Sequence, residues 1–168
     1  MRAACSSSGR GIKQMSEELT IERKELIEDF GNGYTAFGQP HVRGRIVGLL
    51  LSNRDALSLD DITHLLQVSK GPVSVETRLL EEFGMIRSVR KPGDRKTYYE
   101  ITEHPFSRSA RRNLWLIRRN QQIAASILET SDNLEPEVKE RFHRMELFHS
   151  QLHDMFAKFM EDWEAGKL

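Results

Sequence analysis

Residues 69–101, SKGPVSVETRLLEEFGMIRSVRKPGDRKTYYEI, set an amphipathic helix directly before a short two-stranded ribbon. Ser69 is a good N-cap residue. Val73, Thr77, Leu80 and Phe83 then recur at spacings of four, three and three, one apolar stripe at helical period. Gly84 stands where a glycine commonly closes a helix. Residues 85–89 and 97–101 are rich in β-branched and aromatic side chains and flank a turn built on Pro92-Gly93-Asp94. Helix and ribbon are adjacent in the chain, so any fold must present them side by side.

The helix has a second face. Lys70, Ser74, Val75 and Arg78 lie opposite the stripe and mix charge, hydrogen-bonding capacity and a small apolar surface, which suits the floor of a major groove. Arg87, Arg90, Lys91, Arg95 and Lys96 surround the ribbon's turn. Five cations on one hairpin exceed what folding requires, although a charged tip also protects an edge strand from aggregation.

Upstream, Ser58 and Asp61 have the spacing of a capping box and open a helix with Ile62, Leu65 and Leu66 inward. Val68-Ser69 is the tight turn into the next helix, which makes the pair a helix-turn-helix. Before it, His41–Asn53 reads as a helix with Val42, Ile46, Leu49 and Leu50 inward. The order is helix, helix, helix, ribbon.

With these elements in place, residues 20–102 resemble a winged helix-turn-helix of the MarR superfamily, in its GbsR-type branch, through SLDDITHLLQVSKGPVS, LLEEFGMI and RKPGDRKTYYE. The resemblance implies a homodimeric transcriptional regulator, a repressor, acting on double-stranded DNA at a pseudo-palindromic operator and released by a small molecule. It places Ser69, Lys70, Gly71, Ser74, Val75 and Arg78 nearest the bases or flanking phosphates. Arg90, Lys91, Arg95 and Lys96 of the wing then lie along the backbone, with Arg95 entering the minor groove. Two chain-specific departures qualify the transfer. Pro72 removes a polar group from the reading face, and Asp94 and Arg95 are adjacent where the family spaces them by one residue. Asp94 is expected to orient either Arg95 or the turn.

Net charge is zero, but its distribution is uneven. Residues 84–119 hold ten Lys or Arg against three Asp or Glu, whereas residues 120–168 hold five against ten. A local basic footprint of this kind bears on phosphate binding more than the total does.

The expected architecture is mainly α with a small β-wing. Residues 1–15 form an extension without hydrophobic period, expected to be disordered, and Met15 is the expected natural start. Residues 16–102 form the winged helix-turn-helix with a leading helix, and residues 103–168 a helical dimerisation region. With 38% hydrophobic and 30% charged residues, the chain has the balance of a globular protein, and no apolar run approaches a membrane span. The single Cys5 excludes an internal disulfide and fits a reducing, cytoplasmic setting.

The helix after the ribbon starts near Pro105 and carries Ala110, Leu114, Ile117, Gln121, Ala124 and Leu128 as a seam, with Arg108, Arg111, Arg112, Trp115, Arg118 and Arg119 on its other side. Arg118 and Arg119 are expected to pair with acidic residues of the C-terminal segment; Arg108, Arg111 and Arg112 suit such pairing or phosphates equally. The last helix repeats four-then-three spacing through Val138, Phe142, Met145, His149, Leu152, Phe156, Phe159 and Trp163. Leu26, Phe30, Tyr34 and Phe37 make a similar stripe in the first helix, 21–37. Three long helices offer more apolar surface than one small core hides, so a homodimer is the economical inference.

His149 and His153 share a helix face, but no HExxH or nearby cysteine completes a metal site, and a hydrogen-bonded histidine at the seam is the expectation, with no metal or cofactor. Some members of the resembled branch sense choline-like cations, which aromatic cages hold. Tyr34, Phe37, Trp115 and Phe142 are the candidate cage, or simply core residues at helical spacing. No phosphate-binding glycine loop or nucleophile–base neighbourhood points to an enzyme. The alternative class is a winged-helix protein-interaction module without operator preference.

Overall fold

The computed structural model describes residues 19–131 and 133–167; the extension and the Met15 start lie outside the described residues. Six helices and three strands follow in order: α1 Ile21–Ala36, α2 His41–Leu51, β1 Leu57–Ser58, α3 Leu59–Leu66, α4 Lys70–Glu82, β2 Ile86–Arg90, β3 Thr97–Ile101, α5 Pro105–Thr130 and α6 Pro136–Glu164.

The core forms around α2, whose Ile46, Val47, Leu49 and Leu50 are at most 1% exposed. Two glycines let α1 lie close against it. A Cβ at position 44 would sit 2.2 Å from the Phe30 carbonyl oxygen, and one at position 48 would sit 3.2 Å from the Ile27 Cα. This close crossing corrects the expected α1 stripe. Ile27 is the buried residue and Phe30 and Tyr34 pack beside it, while Leu26 and Phe37 point out. The contact face is centred on Gly31, which carries no hydropathic weight and so is silent in a pattern of apolar residues.

The helix-turn-helix forms as expected. Ser58 Oγ accepts from the Asp61 amide at 3.2 Å, and the Asp61 carboxylate accepts from the Ser58 amide at 2.9 Å, a complete capping box. Ile62 and Leu66 are buried, with Leu65 half-buried beside them. The turn is made at Gln67, whose left-handed φ of 52° lets the Val68 amide reach back to the Thr63 carbonyl. Helix α4 ends in a Schellman motif. Gly84, at φ 70°, donates to the Glu81 carbonyl and Met85 to the Leu80 carbonyl.

One helix start differs from expectation. Ser69 occupies the N-cap position of α4 with extended backbone, yet its side chain makes no capping hydrogen bond. An N-cap hydroxyl accepts from the second or third helical amide, and the third residue here is Pro72, which has none.

The ribbon is a three-stranded antiparallel sheet in the order β1-β3-β2, not the expected two strands. Leu57 and Ser58 add a short edge opposite Tyr99 and Tyr98. Two residues are too few to show a period of two. At the sheet's base, buried Thr102 donates from its hydroxyl to the Gly84 and Met85 carbonyls, so the chain leaves the ribbon where it entered.

Helices α5 and α6 form an antiparallel hairpin that extends from the core. The expected α5 seam holds: Ala124 is fully buried, and Ala110, Leu114, Ile117, Gln121 and Leu128 are half-buried. On α6, Val138 to Phe156 of the expected seam are half-buried, but Phe159 and Trp163 are about half exposed and Met160 is the buried residue instead. His149 is hydrogen-bonded within the hairpin. Its Nδ1 lies 2.8 Å from the Met145 carbonyl, which only accepts, so that nitrogen carries the proton and Nε2 takes the Asn120 amide at 3.2 Å.

Candidate nucleic-acid interface

The outer face of α4 forms because its inner face is fixed at three points. Val73 and Leu80 are fully buried, and Thr77 is buried with its hydroxyl bonded back to the Val73 carbonyl. Glu76, also inward, meets Arg43 of α2. Residues 70, 71, 74, 75 and 78 lie outside on one face at helical spacing, with Pro72 exposed beside them. Lys70, Gly71, Val75 and Arg78 are exposed and Ser74 is half-buried. A Cβ at Gly71 would meet nothing within 4 Å, so that position is open on its outer side.

The wing is a β2–β3 hairpin paired from Ile86 with Ile101 to Arg90 with Thr97. Gly93 takes φ 79° at the third position of a turn closed by the Asp94 amide on the Lys91 carbonyl at 3.1 Å. Asp94 then accepts from the Lys96 amide at 2.8 Å and from the Tyr98 hydroxyl at 2.6 Å. Those hydrogen bonds, the Tyr98 one first, hold the Asp94 carboxyl below the usual carboxylate range and push the Tyr98 phenol up. Asp94 therefore orients the turn and does not pair with Arg95, which settles the alternative left open by their adjacency.

The basic residues divide into two groups. Arg87 pairs with Glu100 directly across the strands at 2.6 Å. Lys91 lies 4.0 Å from the Tyr98 ring centroid and reaches the Ala56 carbonyl at 3.4 Å. Lys70 and Lys96 both turn to Asp60. Arg78, Arg90 and Arg95 have no side-chain ion pair or hydrogen bond among the described residues, and all three are exposed.

Behind the interface, Phe83 at the end of α4 lies between two guanidinium groups. Arg43 stands 5.6 Å and Arg112 4.5 Å from its ring centroid. Arg112 also pairs with Glu82 at 2.9 Å, and Arg111 pairs with Glu164 at the far end of α6. Arg111 thus pairs with the C-terminal segment, whereas Arg118 and Arg119, expected to do so, form no ion pair among the described residues. The antiparallel return of α6 brings its acidic end to the start of α5, away from residues 118 and 119.

Sequence reasoning missed Arg43, Glu76 and Asp60. Arg43 and Glu76 are 33 residues apart and read singly as surface charges. Asp60 was overshadowed by the capping signal of its neighbour.

Tyr34, Phe37, Trp115 and Phe142 are not gathered into one cluster. Tyr34 packs on the core with its hydroxyl 3.8 Å from the Met85 sulfur, whereas Phe37 and Trp115 are 84% and 64% exposed. None lines the two clefts at the junction of core and arms, of about 560 and 340 Å³, which share His104, Ser107 and Trp163. Among the described residues, no three of His, Cys, Asp and Glu converge as metal ligands, and no helix is long and apolar enough to cross a membrane.

A helix-turn-helix whose second helix is backed by a three-stranded sheet with a basic hairpin defines a winged helix-turn-helix fold. No family model matches the chain. Among curated proteins it is 26% identical over 136 residues to the HTH-type transcriptional regulator MmpR5 of Mycobacterium tuberculosis, covering 80% of this chain and 81% of that one. It is 22% identical over 166 residues to the HTH-type transcriptional repressor OpcR of Bacillus subtilis, covering 88% of each. A crystal structure of a transcriptional regulator superposes with a TM-score of 0.76 at 21% identity, over 86% of this chain and 99% of the other, and shares the fold.

Proposed function

We propose that this chain is a DNA-binding transcriptional repressor of the GbsR-like branch that reads a pseudo-palindromic operator as a homodimer. The observation that carries the reading is the juxtaposition of an outward α4 face with three exposed arginines, Arg78, Arg90 and Arg95, that no carboxylate of the described chain engages. Ser69, Lys70, Gly71, Ser74 and Val75 face the groove floor and its flanking phosphates, and the wing follows the backbone, with Lys91 and Lys96 beside the two arginines. The dimer is supported by large apolar side chains exposed along one protomer's helices, among them Trp115, Leu147, Phe148 and Met155, each at least 60% exposed. Dimer symmetry then sets two half-sites roughly 10 base pairs apart.

Selecting bound fragments from a random DNA pool at two salt concentrations tests this reading. A two-fold symmetric motif supports it, whereas uniform recovery of all sequences points to an interaction module. The finer reading, release by a small cation such as choline, requires an aromatic cage assembled across the dimer. Calorimetry with choline on the purified protein tests it, and absence of heat at millimolar ligand removes it.

A further inference from the structure

Asp60 stands in the first turn of α3 and is not needed for its cap, which Ser58 and Asp61 complete between them. Its two carboxylate oxygens serve two other elements. Oδ1 accepts from Nζ of Lys70, the first residue of α4, at 2.9 Å. Oδ2 faces Nζ of Lys96, in the wing, at 3.7 Å. Three elements brought together by the tertiary fold, α3, α4 and the wing, thus share one carboxylate.

A negative charge in the first turn of α3 is already favoured by that helix's dipole, but this does not account for the two lysines. Lys70 sits at the positive end of its own helix, where its charge is disfavoured, and Asp60 offsets that placement. The hydrogen bond from Lys70 keeps the Asp60 carboxyl below the usual carboxylate range, so it stays ionised at neutral pH.

We propose that Asp60 is a specificity-determining residue of the DNA interface that contacts no base: it engages Lys70 and Lys96 internally, withholding two cations from unregistered phosphates and setting the wing against the reading helix. The proposal rests on the operator-binding reading above. Non-specific binding is almost wholly a matter of cations replacing counterions on phosphate, so a carboxylate that occupies two lysines subtracts mainly from that mode. In the registered complex, direct contacts from Ser74, Val75 and Arg78 are unaffected, and the ratio of operator to random affinity rises.

The test compares parent, Asp60→Asn and Asp60→Glu on the selected operator and on random duplex across a salt series, with thermal melts as a check on folding. For Asp60→Asn the expected result is a several-fold gain on random DNA, a smaller gain on operator, and a random-DNA salt slope steeper by about 0.9 per freed lysine. Asp60→Glu retains the parental ratio. An unchanged ratio and slope in Asp60→Asn overturns the proposal. So does an equal gain when Asp60→Asn is made in a Lys70→Met, Lys96→Met background, because the carboxylate would then act on phosphate directly. If the parent itself shows no operator preference, the regulator reading fails as well, and that outcome is distinct from a parent with preference and an inert Asp60→Asn.

Discussion

Arg43 of α2 donates from Nε to Oε2 of Glu76 in α4 at 2.5 Å, and both residues are more than nine-tenths removed from solvent. Arg43 also bonds Gln39, so its guanidinium is engaged from two sides. Helix α4 is thereby anchored to the core by a charge pair rather than by apolar contact alone.

Removing one partner of such a pair leaves the other charged and buried. Glu76→Ala is expected to destabilise the fold by about 3–5 kcal/mol, whereas the paired change Arg43→Met with Glu76→Leu recovers most of that loss. Urea denaturation of the parent and the two variants measures the difference. A paired variant no more stable than Glu76→Ala would show that the ion pair is not the source of the cost.

Two glycines separate stability from recognition. Gly44→Ala places a methyl against the Phe30 backbone and is expected to lower the melting temperature sharply, because a backbone atom cannot rotate away. Gly71→Ala meets open space and replaces a helical glycine, so its melt is expected to match or exceed the parent's by up to about 1 kcal/mol. The same methyl stands on the candidate groove face, and DNA affinity should change without any loss of stability. Parallel melts and binding titrations check the pair.

Arginine and serine on the candidate interface are expected to fail differently. Arg95→Ala should weaken operator and random DNA alike and flatten the salt slope by about 0.9. Ser74→Ala should alter which base is preferred at one position, at a cost of roughly 1–3 kcal/mol on the preferred site. Equal losses on operator and random DNA for both variants would contradict the assignment of the reading face.

The wing tip has a pH window. Asp94 has its pKa lowered in the folded chain, so its contribution is present above the ordinary carboxylate range and is lost as pH falls through the lowered value. Tyr98 has its pKa raised, so the same contact is present below the ordinary phenol range and is lost as pH rises through the raised value. Protection of the Lys96 amide against exchange, relative to its intrinsic rate at each pH, is expected to be high between these limits and to fall in Tyr98→Phe, because that N–H bonds Asp94. A protection factor unchanged by both pH and the substitution would remove this account.

The sequence is most legible where a signal is local. The Val73 to Phe83 stripe, the Ser58–Asp61 box, Gly84 and the Pro92-Gly93 turn each complete their geometry within a few residues, and each is found in place. Features that require two distant segments are silent. Glu76 interrupts an exposed-looking run until Arg43 arrives from α2, and Asp60 acquires its lysines only when α4 and the wing converge. Tyr34 and Phe37 have the spacing of one stripe, yet the glycine-centred crossing turns one in and the other out. Of the candidate interface, the basic residues and the outer helix face were readable; which cations are already engaged was not.

Phe83 is held between Arg43 and Arg112, and each guanidinium is tied to a carboxylate of the same helix, Glu76 and Glu82 respectively. A helix mounted in this way cannot roll about its own axis without dislodging one of its fastenings. It travels as a passenger of α2 and of the first turns of α5. Beyond Arg112, no described residue of α5 has a hydrogen bond or ion pair to the core, and the helix packs instead along α6, to which Asn120 is bonded through His149. Any displacement of the α5–α6 hairpin would therefore meet α4 at Arg112 and Glu82, while the seat of α4 on α2 stays with Arg43 and Glu76.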